Sequence, residues 1–163
     1  MGRSGMLSTV AIMRGVWGII KEVARHVLRR PVVGIVAAAR TPDGRWLLIR
    51  RADTGLWALP GGTLEWGETL RSSIERELLE ETGCRVERVG ALAGVYSEPN
   101  RDLRFHAVTV VVYAEVRLPE RSPINALEIR EVGLFETDQL PKDLSHGMSD
   151  ILEHALKGTL TWE

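Results

Sequence analysis

Four glutamates, one arginine and two glycines recur at fixed spacings in one short segment of this chain. They are Gly62, Glu68, Arg76, Glu77, Glu80, Glu81 and Gly83. Three glutamates so close together would repel one another and destabilise an ordinary helix. A divalent cation such as Mg²⁺ or Mn²⁺ reverses that repulsion, because these ions take carboxylate oxygens and bridge to substrate phosphates. The segment therefore predicts a metal site that handles phosphate.

The acidic cluster lies on a predicted helix. Between Thr69 and Thr82 an apolar residue recurs every fourth position, at Leu70, Ile74 and Leu78, and Gly83 follows where a helix often ends. Glu80 and Glu81 follow Glu77 by three and four residues, so the carboxylates of these three project from one face toward a common ion. The arginine before them is placed to hold a carboxylate in a fixed rotamer.

A pair of glycines precedes this helix. The sequence Leu59-Pro60-Gly61-Gly62 leads into a polar loop that ends at Glu68. Paired glycines allow a close backbone approach that side chains would block. We therefore expect the backbone carbonyl of Gly61 to turn inward as a further metal ligand.

At these residues the chain resembles the Nudix hydrolases, whose box is G-x5-E-x7-R-E-U-x-E-E-x-G-U, with U a bulky aliphatic residue. Every fixed position is present, and Leu78 meets the first U. Cys84 replaces the last U, a mild departure because a free cysteine behaves as a small buried hydrophobe. The resemblance implies metal-dependent cleavage of the pyrophosphate in a nucleoside diphosphate linked to another moiety, X.

The resemblance also implies a role for each charged residue of the box. Glu77 and Glu81 are expected as the principal ligands of Mg²⁺ or Mn²⁺, and Glu80 as a residue that shares the metal or its water. Arg76 would orient these carboxylates, and Glu68 would tie the loop to the helix.

The general base is open, because family members draw it either from the box or from a later loop. Glu128 lies in an acidic stretch before the strand Ile129–Phe135, and we favour it as an additional ligand or base. Plain surface charge is the alternative reading of Glu128. Glu98 and Asp102 are rival candidates on another loop.

The segment from Tyr96 to His106 resembles the substrate loop of ADP-ribose pyrophosphatases and related nucleotide-sugar enzymes. Arg101 and Arg104 are expected to meet phosphate or ribose oxygens, Phe105 to stack on a base, and Arg51 to contact the substrate as well. The alternative is an ordinary polar loop of turn residues.

Two other functions compete with hydrolysis of a nucleotide sugar. One is a house-cleaning nucleoside triphosphate pyrophosphohydrolase, and the other is a non-catalytic Nudix module that binds nucleotides. An intact box argues against the second. RNA decapping is not expected without a basic RNA path, and a net charge of −1 gives no general case for nucleic-acid binding.

Length and composition agree with a small enzyme. A chain of 163 residues forms one domain with a real core. The single cysteine excludes an internal disulfide and suits a reducing cytoplasm. The first 51 residues carry a formal charge of +8 and the remainder −9. A basic segment beside an acidic metal site suits an anionic substrate clamped from two sides, although these arginines could equally serve only to solubilise the surface.

Residues 1–31 are predicted to form a helical extension. Val16, Ile20, Val23 and Val27 share one face of an amphipathic helix, which Pro31 ends. A signal peptide and a transmembrane span are not expected. We expect the apolar face to pack against protein, most readily in a homodimer, while contact with a membrane surface is the alternative.

Residues 32–163 are predicted to form the Nudix domain. Short strands alternate with helices, which predicts an α/β/α sandwich with a mixed sheet, the fold that the resemblance also implies. The expected strands are Val32–Ala39, Trp46–Arg50, Arg85–Tyr96, His106–Val116 and Ile129–Phe135, and the closing helix is Ser145–Leu156.

Overall fold

The computed structural model describes residues 15–24, 30–102, 104–119 and 127–163. The chain divides into two compact units, Met1–Pro31 and Val32–Glu163. In the first unit, residues 15–24 form helix α1, and the predicted apolar position Val27 lies outside the described residues. In the described part of the chain, no helix has the length and apolarity needed to cross a membrane.

The second unit alternates strands and helices in the order that the sequence predicts. Its elements are β1 (Val32–Arg40), β2 (Trp46–Arg51), β3 (Trp57–Ala58), β4 (Gly61–Thr63), α2 (Leu70–Thr82), β5 (Arg85–Tyr96), β6 (Ala107–Arg117), β7 (Ile129–Phe135), a 3₁₀ turn (Thr137–Gln139), α3 (Met148–Lys157) and β8 (Thr161–Trp162). The short elements β3, β4 and β8 and the 3₁₀ turn were not predicted.

Eight strands of the described chain form one mixed sheet. The strand order is β3-β2-β1-β6-β5-β8, with β4 paired to β1 and β7 paired to β2. Strands β1 and β6 run parallel, whereas β5 and β6 are antiparallel. The predicted turn between β1 and β2 closes with a hydrogen bond of 2.8 Å from Gly44 N–H to the Thr41 carbonyl.

The sheet is covered by a helix on each face. Alternate residues of β1 point to opposite faces, as the pleat of a strand requires, so that Ile35 and Ala37 pack in the core beneath α2 and Val36 and Ala38 in the core beneath α3. Cys84 is fully buried in the first of these cores, as expected for a small hydrophobe. The arrangement confirms the predicted α/β/α sandwich with a mixed sheet.

Helix α2 is capped at both ends. Thr69 accepts a hydrogen bond from Ser72 N–H, and the Ser72 side chain accepts one from Thr69 N–H, which forms a capping box. Gly83 adopts a left-handed conformation, with φ of 73°, and its N–H donates to the Leu79 carbonyl. Both ends of the helix that carries the acidic cluster are therefore fixed by local contacts.

Candidate functional site

Arg76 lies at the centre of the acidic cluster and binds three of its four carboxylates. Its Nε and Nη2 donate to the two oxygens of Glu68 at 2.8 and 3.0 Å, a bidentate pair. Its Nη1 donates to Glu77 Oε1 at 2.9 Å and to Glu80 Oε2 at 3.3 Å. This is the contact pattern that an orienting residue makes, because it fixes the rotamers of several acidic side chains at once.

Glu68 joins the loop after β4 to helix α2. Besides Arg76, its carboxylate accepts a hydrogen bond of 3.0 Å from the N–H of Glu65, within the loop. Arg76 also donates to the Thr63 carbonyl at 3.3 Å, so the tie runs to the end of β4 as well. Hydrogen bonding to Arg76 lowers the pKa of Glu68 to about 2. Glu68 is therefore a permanent anion that anchors the loop.

Glu81 is a nearly buried carboxylate, with 5% of its surface exposed. It accepts a hydrogen bond of 2.8 Å from Gly61 N–H. Burial raises the pKa of Glu81 to about 8, against the opposing effect of that hydrogen bond, and the charge of Glu77 raises it further. Burial likewise raises the pKa of Glu77, although Arg76 opposes the shift. The charged forms of two neighbouring carboxylates are thus disfavoured by their protein surroundings.

The glycine pair lets β4 lie directly against these carboxylates. A Cβ atom on Gly62 would overlap the carboxylate of Glu77, and one on Gly61 would overlap the carbonyl of Ile35 on strand β1. The close approach that the sequence predicts therefore leaves no room for a side chain at Gly61, and a side chain at Gly62 would displace the Glu77 carboxylate. Unexpectedly, the contact that Gly61 makes with the cluster comes from its N–H. The metal-ligand role of its carbonyl stays a prediction.

The donor set suits a hard divalent cation. It consists of carboxylate oxygens, and the charge of two of them is disfavoured by burial, a penalty that a bound cation offsets. Within the described ranges, no three acidic, histidine or cysteine side chains already surround a common point. The reason is visible in the contacts, since Arg76 holds Glu77 and Glu80 while Glu81 turns toward Gly61. The residues present fit such a metal once these carboxylates turn toward it.

Comparison with known families shows to which family the chain belongs. The model of the NUDIX domain matches residues 28–155. The chain belongs to the Nudix hydrolase family. Proteins of this family generally use divalent metals, in agreement with the donor set.

Several curated proteins are similar to this chain in sequence. The chain is 39% identical over 103 residues to an ADP-ribose pyrophosphatase of Methanocaldococcus jannaschii, which covers 61% of this chain and 59% of the relative. It is 49% identical over 71 residues to a MutT-like protein of Streptomyces ambofaciens, covering 44% and 46%. The chain thus spans about half the length of these curated relatives.

A solved Nudix structure covers more of the fold. The MutT NUDIX hydrolase of Burkholderia pseudomallei superimposes with a TM-score of 0.66 and 33% identity, over 77% of this chain and 98% of that one. An ADP-ribose pyrophosphatase of Streptococcus suis has the same fold, with a TM-score of 0.64 and 24% identity, over 82% and 100% of the two chains.

The two arginines Arg51 and Arg104, which the sequence predicts to contact the substrate, lie near one another, and Arg51 is within electrostatic reach of Glu81 in the box. Arg51 at the end of β2 binds both oxygens of Asp53, at 3.0 and 2.8 Å. Arg104 binds both oxygens of Asp102, at 3.0 and 2.7 Å. The pKa of Asp102 is lowered mainly by its hydrogen bonds to Arg104 and further by the charge of Arg51. The charge of Arg51 also opposes the rise that burial causes in the pKa of Glu81. Arg51 therefore links the buried carboxylate electrostatically to the loop between β5 and β6.

Glu128 lies just before β7, close to the turn that follows β2. Its carbonyl accepts a hydrogen bond of 2.7 Å from Ala52 N–H, and its side chain is exposed. The charge of Glu128 also raises the pKa of Glu81, but by less than burial and the charge of Glu77 do. The fold thus brings Glu128 into electrostatic reach of the box, and its role as ligand or base stays a prediction.

Arg101 and Phe105, also assigned to the substrate, lie in different surroundings. The Arg101 guanidinium donates from Nε to Glu163 Oε2 at 2.9 Å and pairs through Nη1 with Asp150 Oδ2 at 2.6 Å. It also lies over the Tyr96 ring, 4.6 Å from the centroid. Its donors are therefore engaged within the protein. Phe105 is exposed, and its ring centroid is 5.1 Å from the Arg104 guanidinium carbon.

Proposed function

We propose that this protein hydrolyses the pyrophosphate bond of a nucleoside diphosphate linked to another moiety, ADP-ribose or a nucleotide sugar, and releases a nucleoside monophosphate. The observation that carries the proposal is the burial of Glu77 and Glu81, two carboxylates four residues apart on the helix of the Nudix box. Both carboxylates have a pKa raised by burial, and both contact the glycine strand or the orienting arginine. Such a pair costs stability unless it serves a bound cation and its phosphate ligand.

Glu77, Glu80 and Glu81, with the Gly61 carbonyl, are the residues that would hold Mg²⁺ or Mn²⁺. When bound, the ion neutralises charge on the pyrophosphate oxygens. Arg76 keeps the carboxylates in place through its contacts with Glu77 and Glu80.

The remaining assigned residues act on the substrate and on water. Glu128 accepts a proton from the attacking water as general base, for which its position near Glu81 is suitable. Arg51 and Arg104 bind phosphate or ribose oxygens, and Phe105 stacks on the base. Glu68 takes no part in proton transfer, because its pKa of about 2 keeps it anionic and bound to Arg76.

The substrate class is supported by the relative named ADP-ribose pyrophosphatase, which matches 61% of this chain. It is supported further by the arginines beside the box, since a dinucleotide-like substrate carries two phosphates and at least one ribose. A triphosphate pyrophosphohydrolase would use the same box and differ in its products. A homodimer and a cytoplasmic location stay predictions.

A substrate panel tests the proposal. Purified protein is incubated with ADP-ribose, UDP-glucose, ATP and dGTP, each with Mg²⁺ and with Mn²⁺, and the products are separated by ion-exchange chromatography. Nucleoside monophosphate with a sugar phosphate from the first two substrates is the expected result. Pyrophosphate release from the triphosphates alone would establish the alternative enzyme. Tight nucleotide binding with no turnover on any substrate would instead indicate the non-catalytic module.

A further inference from the structure

The loop between β5 and β6 is fastened by charged contacts that the box does not explain. Arg101, inside this loop, pairs with Asp150 of α3 and with Glu163 beyond β8. We infer that Arg101, Asp150 and Glu163 form a clamp that positions this loop for substrate recognition, so that Arg101 is a positioning residue and not a phosphate contact. The inference rests on the proposed function, because it assigns the loop to the substrate.

Glu163 binds the loop through both its backbone and its side chain. Its carboxylate accepts hydrogen bonds from the N–H groups of Ser97 and Glu98 at 3.0 and 3.2 Å, and from Arg101 Nε at 2.9 Å. Its carbonyl accepts a hydrogen bond of 3.1 Å from the Ser97 hydroxyl. Its own N–H donates to the Val95 carbonyl at 3.0 Å. Glu163 therefore holds the first residues of the loop, where His106 Nε2 also lies 2.9 Å from the Ser97 carbonyl.

Strand β8 brings Glu163 to this position. It adds to the edge of the sheet parallel to β5, with Gly94 opposite Thr161 and Val95 opposite Trp162. A two-residue strand contributes little core, and the Trp162 side chain is 85% exposed. The main contacts at the end of β8 are those that Glu163 makes with the loop. We therefore take the role of β8 to be the placement of Glu163 against the loop.

The start of α3 forms the second arm of the clamp. Asp150 lies in its first turn and meets Arg101 Nη1 at 2.6 Å. Gly147, at the N-cap with φ of 74°, lies so close to the loop that an added Cβ would be 2.8 Å from the Arg101 carbonyl. His146 Nε2 is 2.9 Å from the Asn100 carbonyl. The loop therefore contacts the start of α3 through backbone atoms as well as through side chains.

The ion pairs of the clamp are formed at physiological pH. The Arg101 side chain is only 15% exposed, so its pairs are shielded from solvent more than surface pairs are. Hydrogen bonding to Arg101 lowers the pKa of Glu163 to about 2. The Glu163 carboxylate is therefore charged, and paired with Arg101, at neutral pH.

The clamped loop leads directly to the residues proposed to meet the substrate. Asp102 and Arg104 follow Arg101, and Asp102 lies within the electrostatic reach of Arg51. The metal-site carboxylates lie on α2, whose contacts do not involve the clamp. A loosened clamp should therefore weaken substrate binding and leave turnover of the bound substrate intact.

The test compares Glu163→Gln and Arg101→Met with the matched control Glu153→Gln, which removes an exposed carboxylate of α3 that pairs with Lys157. With ADP-ribose and saturating Mg²⁺, we expect KM to rise roughly tenfold in the two clamp variants while kcat stays within about twofold. The control should match the wild type in both constants. The double variant should lose less than the sum of the two single variants, because the contact between Arg101 and Glu163 is removed in both.

Hydrogen exchange supplies a readout that needs no substrate. The amides of Ser97 and Glu98 should lose protection in Glu163→Gln, while those of α2 keep it. The milder variant Asp150→Asn, which removes one arm, covers the case in which Glu163→Gln does not fold. A wild-type KM despite lost protection, or a kcat that falls as far as KM rises, overturns the clamp inference. A wild type that cleaves nothing in the panel overturns the proposed function, and the recognition role of the clamp falls with it.

Discussion

The Gly61 N–H donates a hydrogen bond of 2.8 Å to the Glu81 carboxylate, and this contact joins strand β4 to the last turn of helix α2. Glu81 is nearly buried, and its charge is opposed by burial and by the charge of Glu77. The backbone N–H therefore orients a carboxylate that is otherwise costly to bury. Because the carboxylate is buried and held in place by the backbone, its negative charge can be tested by a substitution that keeps its shape.

Replacing Glu81 with Gln keeps the size of the side chain and removes its charge. We expect turnover to fall by roughly two to four decades while the fold survives, because the lost interaction acts mainly on transition-state charge. Glu77→Gln should behave similarly. Steady-state kinetics with saturating Mg²⁺ measure the effect, and Glu75→Gln, an exposed position on the same helix, is the matched control. Near-normal activity in both variants would remove Glu77 and Glu81 from their assigned roles.

In protein stripped of metal, Glu81 should make stability depend on pH. Its pKa is about 8 in the folded protein and 4.5 without the influence of the fold. The folded state thus keeps a proton that the unfolded chain releases, so stability is lost as pH rises from about 4.5 to about 8 and levels off above that. Melting temperatures in chelator across this range should decline, and Glu81→Gln should flatten the decline. An equal slope in the variant would contradict the assignment to Glu81.

Local patterns predicted most of the fold. Helix α2 begins within one residue of its predicted start because the cap at Thr69, the spacing of its apolar residues and Gly83 are all local signals. Strand β5 also has the predicted bounds, Arg85–Tyr96. Strands β3, β4 and β8 were missed because two or three residues carry too little pattern, and their pairing depends on strands far away in the sequence.

The same distinction applies to the site. The contact of Arg76 with Glu80 follows from the helical i,i+4 spacing, and Glu77 is the next residue in the chain, so the sequence could anticipate both contacts. The partners of Arg101 could not be anticipated, because Asp150 and Glu163 meet it only through the packing of α3 and β8. An arginine in a polar loop indicates a substrate contact or an internal ion pair equally well until its partners are known.

The glycine strand offers a test of packing at the site. Gly62→Ala places a methyl group on the Glu77 carboxylate, which must then move away from β4. We expect reduced turnover, because the displaced carboxylate is a proposed metal ligand, and a small loss in the free energy of unfolding, because the displaced atoms are the end of a flexible side chain. Kinetics measure the first, and urea titration followed by circular dichroism measures the second. Gly18→Ala, where an added Cβ meets open space, is the control. Unchanged stability and turnover in Gly62→Ala would show that β4 and Glu77 do not need this close approach.

The apolar face of helix α1 is the remaining feature that predicts association. Val16, Ile20 and Val23 are exposed side chains on this face, and two-fold pairing is the commonest way to cover such a stripe. Replacing all three with Ser should shift the protein toward monomer in sedimentation velocity, whereas Lys21→Ser, outside the face, should not. Deletion of residues 1–30 should also shift the protein toward monomer, and it should lower the melting temperature. A monomeric wild type whose stability and activity survive the deletion would exclude the dimer, and selective binding of the full-length chain to anionic vesicles would favour a membrane surface instead.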